Sequence, residues 1–423
     1  MTRKLLATSA ILTVTAGMAS AQDAAAVLDN YANIAAAVYE DSLTTAKDLQ
    51  GAVDALIANP SEETLQAARD AWLASRNPYQ QSEVFRFGNP IVDDWEGKVN
   101  AWPLDEGLID YVDANYGGPT DENEFAALNV IGNAQFELAG VHVDATHITP
   151  ELIGDTLNEA DGIETNVARG YHAIEFLLWG QDLNGTEHGA GDRQFTDYVQ
   201  GEGCTNGNCD RRADYLTSAT ELLVSDLEYM AGQWAEGGEA REAVLANEGE
   251  GLIAILTGMG SLSYGELAGE RMRLGVMLND PEEEHDCFSD NTHNSHYYDG
   301  LGIQNAYLGH YTRVDGTVVE GASVSDLVAA NNAELDAEMK AKLDASVTAL
   351  GDVKAAAENG MSYDQMLARG NEEGEELIMG AVNALIDQTS TIEAVVASLD
   401  LDSIAFEGSD SLDDPSAVEG VFQ

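Results

Sequence analysis

The chain has 423 residues, with 75 Asp and Glu against 19 Lys and Arg, for a formal charge of −56. That acid excess excludes nucleic acid as a partner, and anionic lipid surfaces repel a chain with no basic amphipathic stretch to overcome them. A hydrophobic share of 44% rules out a disordered chain, and the length exceeds what one core comfortably fills, so about two domains are expected.

Residues 1–21 have the layout of a secretory signal: Arg3 and Lys4 as a positive start, Leu5 to Gly17 as an apolar run, and Ala19-Ser20-Ala21 as a small-residue cleavage pattern. The expected location is the bacterial periplasm, either free or associated with the outer membrane. The first cysteine is Cys204, so none stands at the cleavage point to carry a lipid. No later run is long and apolar enough for a membrane span.

From Ala24, apolar residues at Val27, Tyr31, Ile34, Val38, Leu49, Val53 and Leu56 follow helical spacing up to Asn59-Pro60. Ser61 starts a second helix, expected to run to about Phe87 with a kink at Pro78. Gly88 to Pro119 is irregular and rich in Trp, Gly and Pro, a loop-rich insertion of the kind that carries function. Further helices are expected over about Glu122–Leu138 and Asp161–Trp179, the latter stopped by Gly180. The Gly, Asn and Asp stretch from Gln181 to Asp210 is the best domain boundary. It holds Cys204 and Cys209, five apart in a polar loop and expected to pair as a disulfide after export. Helices resume over Arg211–Ala235, Glu239–Tyr264, Asp326–Asn359 with a break near Gly351, and Ser362–Leu399. Only Tyr311 to Val319, with Asp315-Gly316 as its turn, reads as a short β-hairpin. The expected fold is all-α, two tandem four-helix bundles, with residues 22–200 forming the first and 201–423 the second.

Four groups of residues could carry chemistry. In Gly170-Tyr-His172-Ala-Ile-Glu175, His172 and Glu175 are i and i+3 on one helix face, a pairing that serves either an inward metal site or an interhelix hydrogen bond. Arg76, Tyr79, Glu83 and Arg86 form a polar stripe at helical spacing, and two arginines on one face of so acidic a chain point to particular carboxylates, structural or in a site. Asp105 and Glu106 lie in the irregular insertion. The segment from Glu282 to His296 holds His285, Cys287, Asp290, His293 and His296, donors suited to iron, copper or zinc; it fits a solvated loop or a cation site equally well. Cys287 is either a buried inert thiol or a ligand. No zinc-protease pair of histidines, haem attachment motif, calcium loop or nucleophile elbow occurs.

The Gly-x-His-x-x-Glu pattern, together with the runs Arg76–Arg86, Val99–Glu106, Gly258–Arg271 and His285–His293 in that order, resembles the imelysin-like family and its iron-regulated protein A branch. The resemblance implies two helical bundles with the motif in a cleft at their junction. It implies a periplasmic metal-binding protein acting in iron uptake or homeostasis, with other envelope iron-uptake components as candidate partners. The alternative is a metallopeptidase, with Glu175 catalytic. The implied cargo is a divalent or trivalent transition metal, iron first and zinc second. Implied ligands are His172 and Glu175, with Glu83 as the third and Asp105 and Glu106 as weaker candidates. Arg76, Glu266, Arg271, His285, Asp290 and His293 would form the second wall.

Overall fold

The structure, a computed structural model, describes residues 16–120 and 123–421. The signal expected over residues 1–21 lies largely outside the described residues. Helix α1 (Ala16–Ala58) buries every apolar position named above between Val27 and Leu56. Ser61 then caps α2 (Glu62–Gln80): its hydroxyl accepts from the Thr64 backbone N–H while the Thr64 hydroxyl accepts in return. Helix α2 ends at Gln80, short of the expected Phe87. Pro78 removes a helical N–H two residues before that end, and the chain continues as a short 3₁₀ turn, Glu83–Phe85. The irregular stretch contains only α3 (Pro90–Glu96) and the single turn α4 (Glu106–Ile109).

The helix expected over 122–138 does not form. Its first residue, Glu122, lies outside the described residues, and side chains of Asn123, Asn129 and Asn133 bond to nearby backbone, which competes with helical pairing. Strand β1 (Gln135–Leu138) then pairs antiparallel with β2 (Val141–Asp144) across Ala139 and Gly140, both at positive φ as a tight hairpin requires. Helix α5 (Gly170–Trp179) is also shorter than expected, because Gly170 itself sits at φ +81° and starts the helix.

A disulfide joins Cys204 to Cys209 just before α6 (Cys209–Trp234). Helices α7 (Glu239–Leu245) and α8 (Glu248–Ser261) follow, and α8 runs on through a π-helical stretch, Leu262–Arg273, into α9 (Leu274–Leu278). Helix α10 (Thr292–Leu308) covers His293 and His296, so the second half of the histidine-rich segment is helical rather than a loop. Strands β3 (His310–Thr312) and β4 (Val318–Glu320) form the hairpin expected there. The expected Asp326–Asn359 helix is split at Asn332 into α11 (Val324–Asn331) and α12 (Ala333–Glu358), and α12 passes Gly351 unbroken. The last long expected helix is split at Asn371 into α13 (Tyr363–Leu367) and α14 (Glu372–Ser398), followed by α15 (Asp410–Asp413) and α16 (Pro415–Val421). Asn332 and Asn371 each cap the helix they precede.

Among the described residues the fold is therefore all-α apart from two small hairpins. Helix α1 packs on α2 and α6, α5 lies against α2 and α6, and α12 packs on α10 and α14, with the π-helical stretch also against α14. Helix α10 touches α2, and α8 touches α1, so one continuous apolar core runs through both groups. No helix among the described residues is long and apolar enough to cross a membrane.

Candidate metal centre

Gly170 fixes where α5 begins. A Cβ there would lie 2.5 Å from the Val99 carbonyl oxygen, and the neighbouring Tyr171 N–H donates to that same oxygen at 2.8 Å. The backbone approach allowed by glycine sets His172 and Glu175 beside Asn100 and Trp102 of the irregular stretch. The other side comes from the connection between α9 and α10, which supplies His285, Asp286 and Ser289. One ligand atom from each of His172, His285 and Asp286 lies within 4.8 Å of the other two, and all three residues are buried.

Hydrogen bonds and ring contacts surround this group. His172 Nδ1 is 3.0 Å from Glu175 Oε2 and 3.9 Å from Asp286 Oδ1, while its buried Nε2 has no hydrogen-bond partner. Glu175 Oε1 accepts from the Ser289 N–H at 3.0 Å and the Ser289 hydroxyl at 2.6 Å. His285 Nε2 is 3.2 Å from Asn100 Nδ2, and its ring stands edge to face with that of His172 at 4.8 Å. Asp286 accepts from Arg76 Nη2 at 2.9 Å, from Asn291 Nδ2 at 2.9 Å and from the Ser295 hydroxyl. The second amino group of Arg76 donates to Asn100 Oδ1 at 2.7 Å. The Trp102 ring closes the site against the His172 ring at 5.0 Å.

The electrostatics follow from burial. Desolvation first, then the charge of Arg76, lowers His172 to about 3, so its imidazole is neutral near neutral pH. Burial, Arg271 and His172 push His285 the same way. Burial would raise Asp286, but Arg76, His172 and the hydrogen bonds from Ser295 and Asn291 outweigh it and hold the carboxylate below its usual range. Glu175 goes up, through burial and the nearby Asp286. The group thus offers two imidazoles that burial holds toward the neutral form and one arginine-compensated carboxylate, beside Glu175, whose carboxyl group burial also favours in its neutral form. A buried nitrogen without a donor or acceptor, such as His172 Nε2, is what a metal ligand leaves in a metal-free centre. The imidazole and carboxylate donors fit a transition ion.

A second network adjoins it. Arg271, at the end of the π-helical stretch, donates to Glu83 Oε2 at 2.7 Å, to Asp299 Oδ2 at 3.1 Å and to Glu266 Oε1 at 3.0 Å. A cleft of about 630 Å³ runs from solvent past Glu96, Glu266, Glu270 and Glu283 to Trp102 and His285.

The residues singled out in the sequence divide accordingly. His172, Glu175, Arg76 and His285 come together. Glu83, expected as a third ligand, is paired with Arg271 beside Glu266 instead, and the three-donor group has His285 and Asp286 where Glu83 was expected. Asp105 is held by Asn123, the Thr165 hydroxyl at 2.7 Å and the Tyr116 hydroxyl at 3.3 Å, away from that group. Glu106 faces a different cavity, with Glu282 and Glu284. Asp290 and His293 lie beyond the Asp286 turn, His293 Nε2 being 3.0 Å from Asn294. Asp286, Asn100 and Ser289 were missed. The scarcity of arginine was the available signal, since buried Arg76 needed a buried carboxylate.

The chain matches the imelysin family, also named peptidase M75, over residues 35–392. It is 30% identical over 79 residues to iron-regulated protein A of Synechococcus elongatus (strain ATCC 33912 / PCC 7942 / FACHB-805), a stretch that spans 19% of this chain and 20% of that protein. A crystal structure named for an iron-regulated protein A precursor from Parabacteroides distasonis ATCC 8503 superposes with a TM-score of 0.64 at 19% identity, covering 89% of this chain and 95% of that one. An imelysin-like protein from Psychrobacter arcticum 273-4 gives 0.53 at 14% identity, covering 91% and 98%. At those identities the two structures speak for the fold alone.

Proposed function

The chain belongs to the imelysin family, and from that premise we propose that it is a periplasmic metal-binding protein that takes up a transition ion, iron first and zinc second, in iron acquisition or homeostasis. The observation that carries this is the buried His172–His285–Asp286 group with the partnerless Nε2 of His172. In this proposal those three residues bind the ion, and Glu175, anchored by Ser289, fixes the His172 ring, as carboxylates commonly do behind a metal-bound imidazole. The names of the iron-regulated relatives support iron. The two groups of helices would act as two bundles meeting at the centre, with α6 belonging to the first because it packs on α1.

A second reading, a metallopeptidase, has the family's name behind it, and three protein donors are the usual number in a catalytic zinc site. That chemistry also needs a general base beside a metal-bound water. Glu175 is ill-placed for this, since one oxygen is held by two donors from Ser289 and the other by His172. Binding is therefore preferred over hydrolysis.

The test is elemental analysis of protein isolated from its own periplasm, followed by chelator stripping and metal titration. About one ion per centre is expected, and the double variant His172→Ala with Glu175→Ala should not bind it. Unchanged stoichiometry and affinity in that variant would sink the proposal. Metal-dependent cleavage of a denatured polypeptide, lost in Glu175→Gln, would favour the peptidase.

A further inference from the structure

Asn100 stands where the elements that build the centre meet. Its N–H donates to the Glu96 carbonyl at the end of α3 at 3.0 Å, and the carbonyl just before it, that of Val99, accepts from the Tyr171 N–H of α5 at 2.8 Å. The backbone on both sides is thus tied down. The side chain, in a residue only 2% exposed, lies between Arg76 of α2 and His285 of the connection between α9 and α10.

The two ends of that side chain are not interchangeable. Arg76 Nη1 lies 2.7 Å from one of them, and a guanidinium only donates, so that end is the carbonyl oxygen. The other end is therefore the NH₂ group, 3.2 Å from His285 Nε2. A proton on Nε2 would face a second N–H, so Nε2 accepts and the imidazole proton is on Nδ1. At His172 the arrangement is reversed: Glu175 Oε2 lies 3.0 Å from Nδ1, and Nε2 has no partner. Arg76 in this way governs both consecutive donors of the connection, Asp286 directly at 2.9 Å and His285 through Asn100.

Resting on the metal-binding function above, we propose that Asn100 is a positioning residue of the centre. It holds His285 in the Nδ1–H tautomer, which leaves Nε2 as the nitrogen that binds the ion, and its own N–H occupies that nitrogen until the ion displaces it. A group behind a metal-bound imidazole commonly receives the ring N–H; Asn100 instead reaches the ligating nitrogen itself. The metal-free centre therefore has one nitrogen open, at His172, and one held, at His285.

The experiment is nuclear magnetic resonance of the chelator-treated, full-length mature protein carrying isotope-labelled histidine at neutral pH, with diamagnetic zinc as the probe. Long-range proton–nitrogen correlations separate a protonated ring nitrogen from a bare one, and His285→Gln identifies the signals of His285 by their loss. Metal-free wild type should show Nδ1–H at His285, and zinc should shift Nε2 while Nδ1 keeps its proton. Asn100→Asp, whose carboxylate accepts, should move the proton to Nε2. If that variant disturbs the circular-dichroism spectrum, Asn100→Ala takes its place and should leave both tautomers populated. Asn332→Ala, which removes the cap of α12, should lower the unfolding midpoint and leave the tautomer as in wild type. Nε2–H in metal-free wild type, a tautomer that the Asn100 variants do not move, or zinc bound at Nδ1 would each overturn the role of Asn100 while metal binding stands. Zinc that shifts neither His172 nor His285 would sink the metal-binding function and this role with it.

Discussion

Asp286→Asn is the sharpest perturbation of the centre. Asp286 is the counter-charge of Arg76, and both side chains are 0% exposed. Without it, Arg76 retains Asn100 Oδ1 and the faces of Tyr171, Tyr79 and Trp72, whose ring centres lie 4.8, 5.5 and 5.6 Å from its guanidinium carbon. Those contacts do not neutralise a charge. Breaking one side of a buried pair costs about 3–5 kcal/mol, whereas replacing both partners with apolar or neutral groups is often close to neutral. Urea unfolding should therefore place Asp286→Asn about 3–5 kcal/mol below wild type, and Arg76→Met with Asp286→Asn well above the sum of the single losses. Metal titration reads the second role separately: because support residues behind a ligand cost about 10–100-fold in affinity, loss of a ligand should cost more, and the double variant should not recover it. A single-variant cost below about 1 kcal/mol, or strict additivity, would refute the claim that this buried pair is tightly coupled. Wild-type metal affinity in Asp286→Asn would remove Asp286 from the centre.

Three further outcomes follow from the same geometry. His172→Ala should abolish transition-metal binding, while Glu175→Gln should keep the stoichiometry and lose about 10–100-fold in affinity, as for a residue that orients a ligand; equal loss in both would make Glu175 a ligand. Gly170→Ala, at φ +81° and with its Cβ 2.5 Å from the Val99 carbonyl, should cost at least about 1–3 kcal/mol in denaturant unfolding and weaken metal binding with it; a wild-type midpoint would contradict the close approach. Stability of the metal-free protein should rise as pH falls from about 8 to about 6.5. In that window Glu96, pushed up to about 7 by burial against the opposing charge of Arg86, and Asp290, pushed to about 7 by burial and the nearby Asp364 and Asp182, regain protons that the unfolded chain does not bind. Below about 6.5 the buried His172, lowered to about 3, and His293, lowered to about 4, begin to oppose the gain, since the unfolded chain protonates them first. A melting temperature higher at pH 8 than at pH 6.5 would reverse the assigned signs.

Helices that bury apolar residues at regular spacing could be read from the sequence, and α1 is the plainest case. Helix α10 could not: its first part buries Ser295, His296, Asp299, Gly300 and Gly302, polar or small residues that leave no apolar period, and only Ile303, Ala306 and Tyr307 near its end are apolar. The opposite error occurred over 122–138, where apolar residues at helical intervals are interrupted by asparagines that bond to the backbone and by an Ala-Gly turn. At the centre, the motif residues His172 and Glu175 were visible because three-residue spacing is local. Asp286 was not, since its meaning depends on Arg76, 210 residues away, and one carboxylate among 75 acids carries no local mark. His285 was noticed for its type, as one member of a histidine-rich stretch, while its role as the partner of His172 is a property of the fold.

The acidity that first excluded polyanions has a second consequence at the cleft. Arg271 is consumed by Glu83, Glu266 and Asp299, and Arg76 by Asp286, so neither presents a free positive charge to an arriving ion. The cleft is also lined by exposed Glu270, half-buried Glu283 and Arg86, which is itself paired with Asp93, and it reaches the buried His285 of the three-donor group. In the proposed function attraction would act along the approach, within a screening length of about 8 Å at physiological salt, and coordination at the end. On the proposed function such a gradient would admit a hydrated cation and oppose an ion wrapped in an anionic chelator, whose charge would meet the glutamates before any donor could exchange. On the proposed function, discrimination among cations would be left to His172, His285 and Asp286, because carboxylates along the cleft favour every cation alike while nitrogen donors favour transition ions.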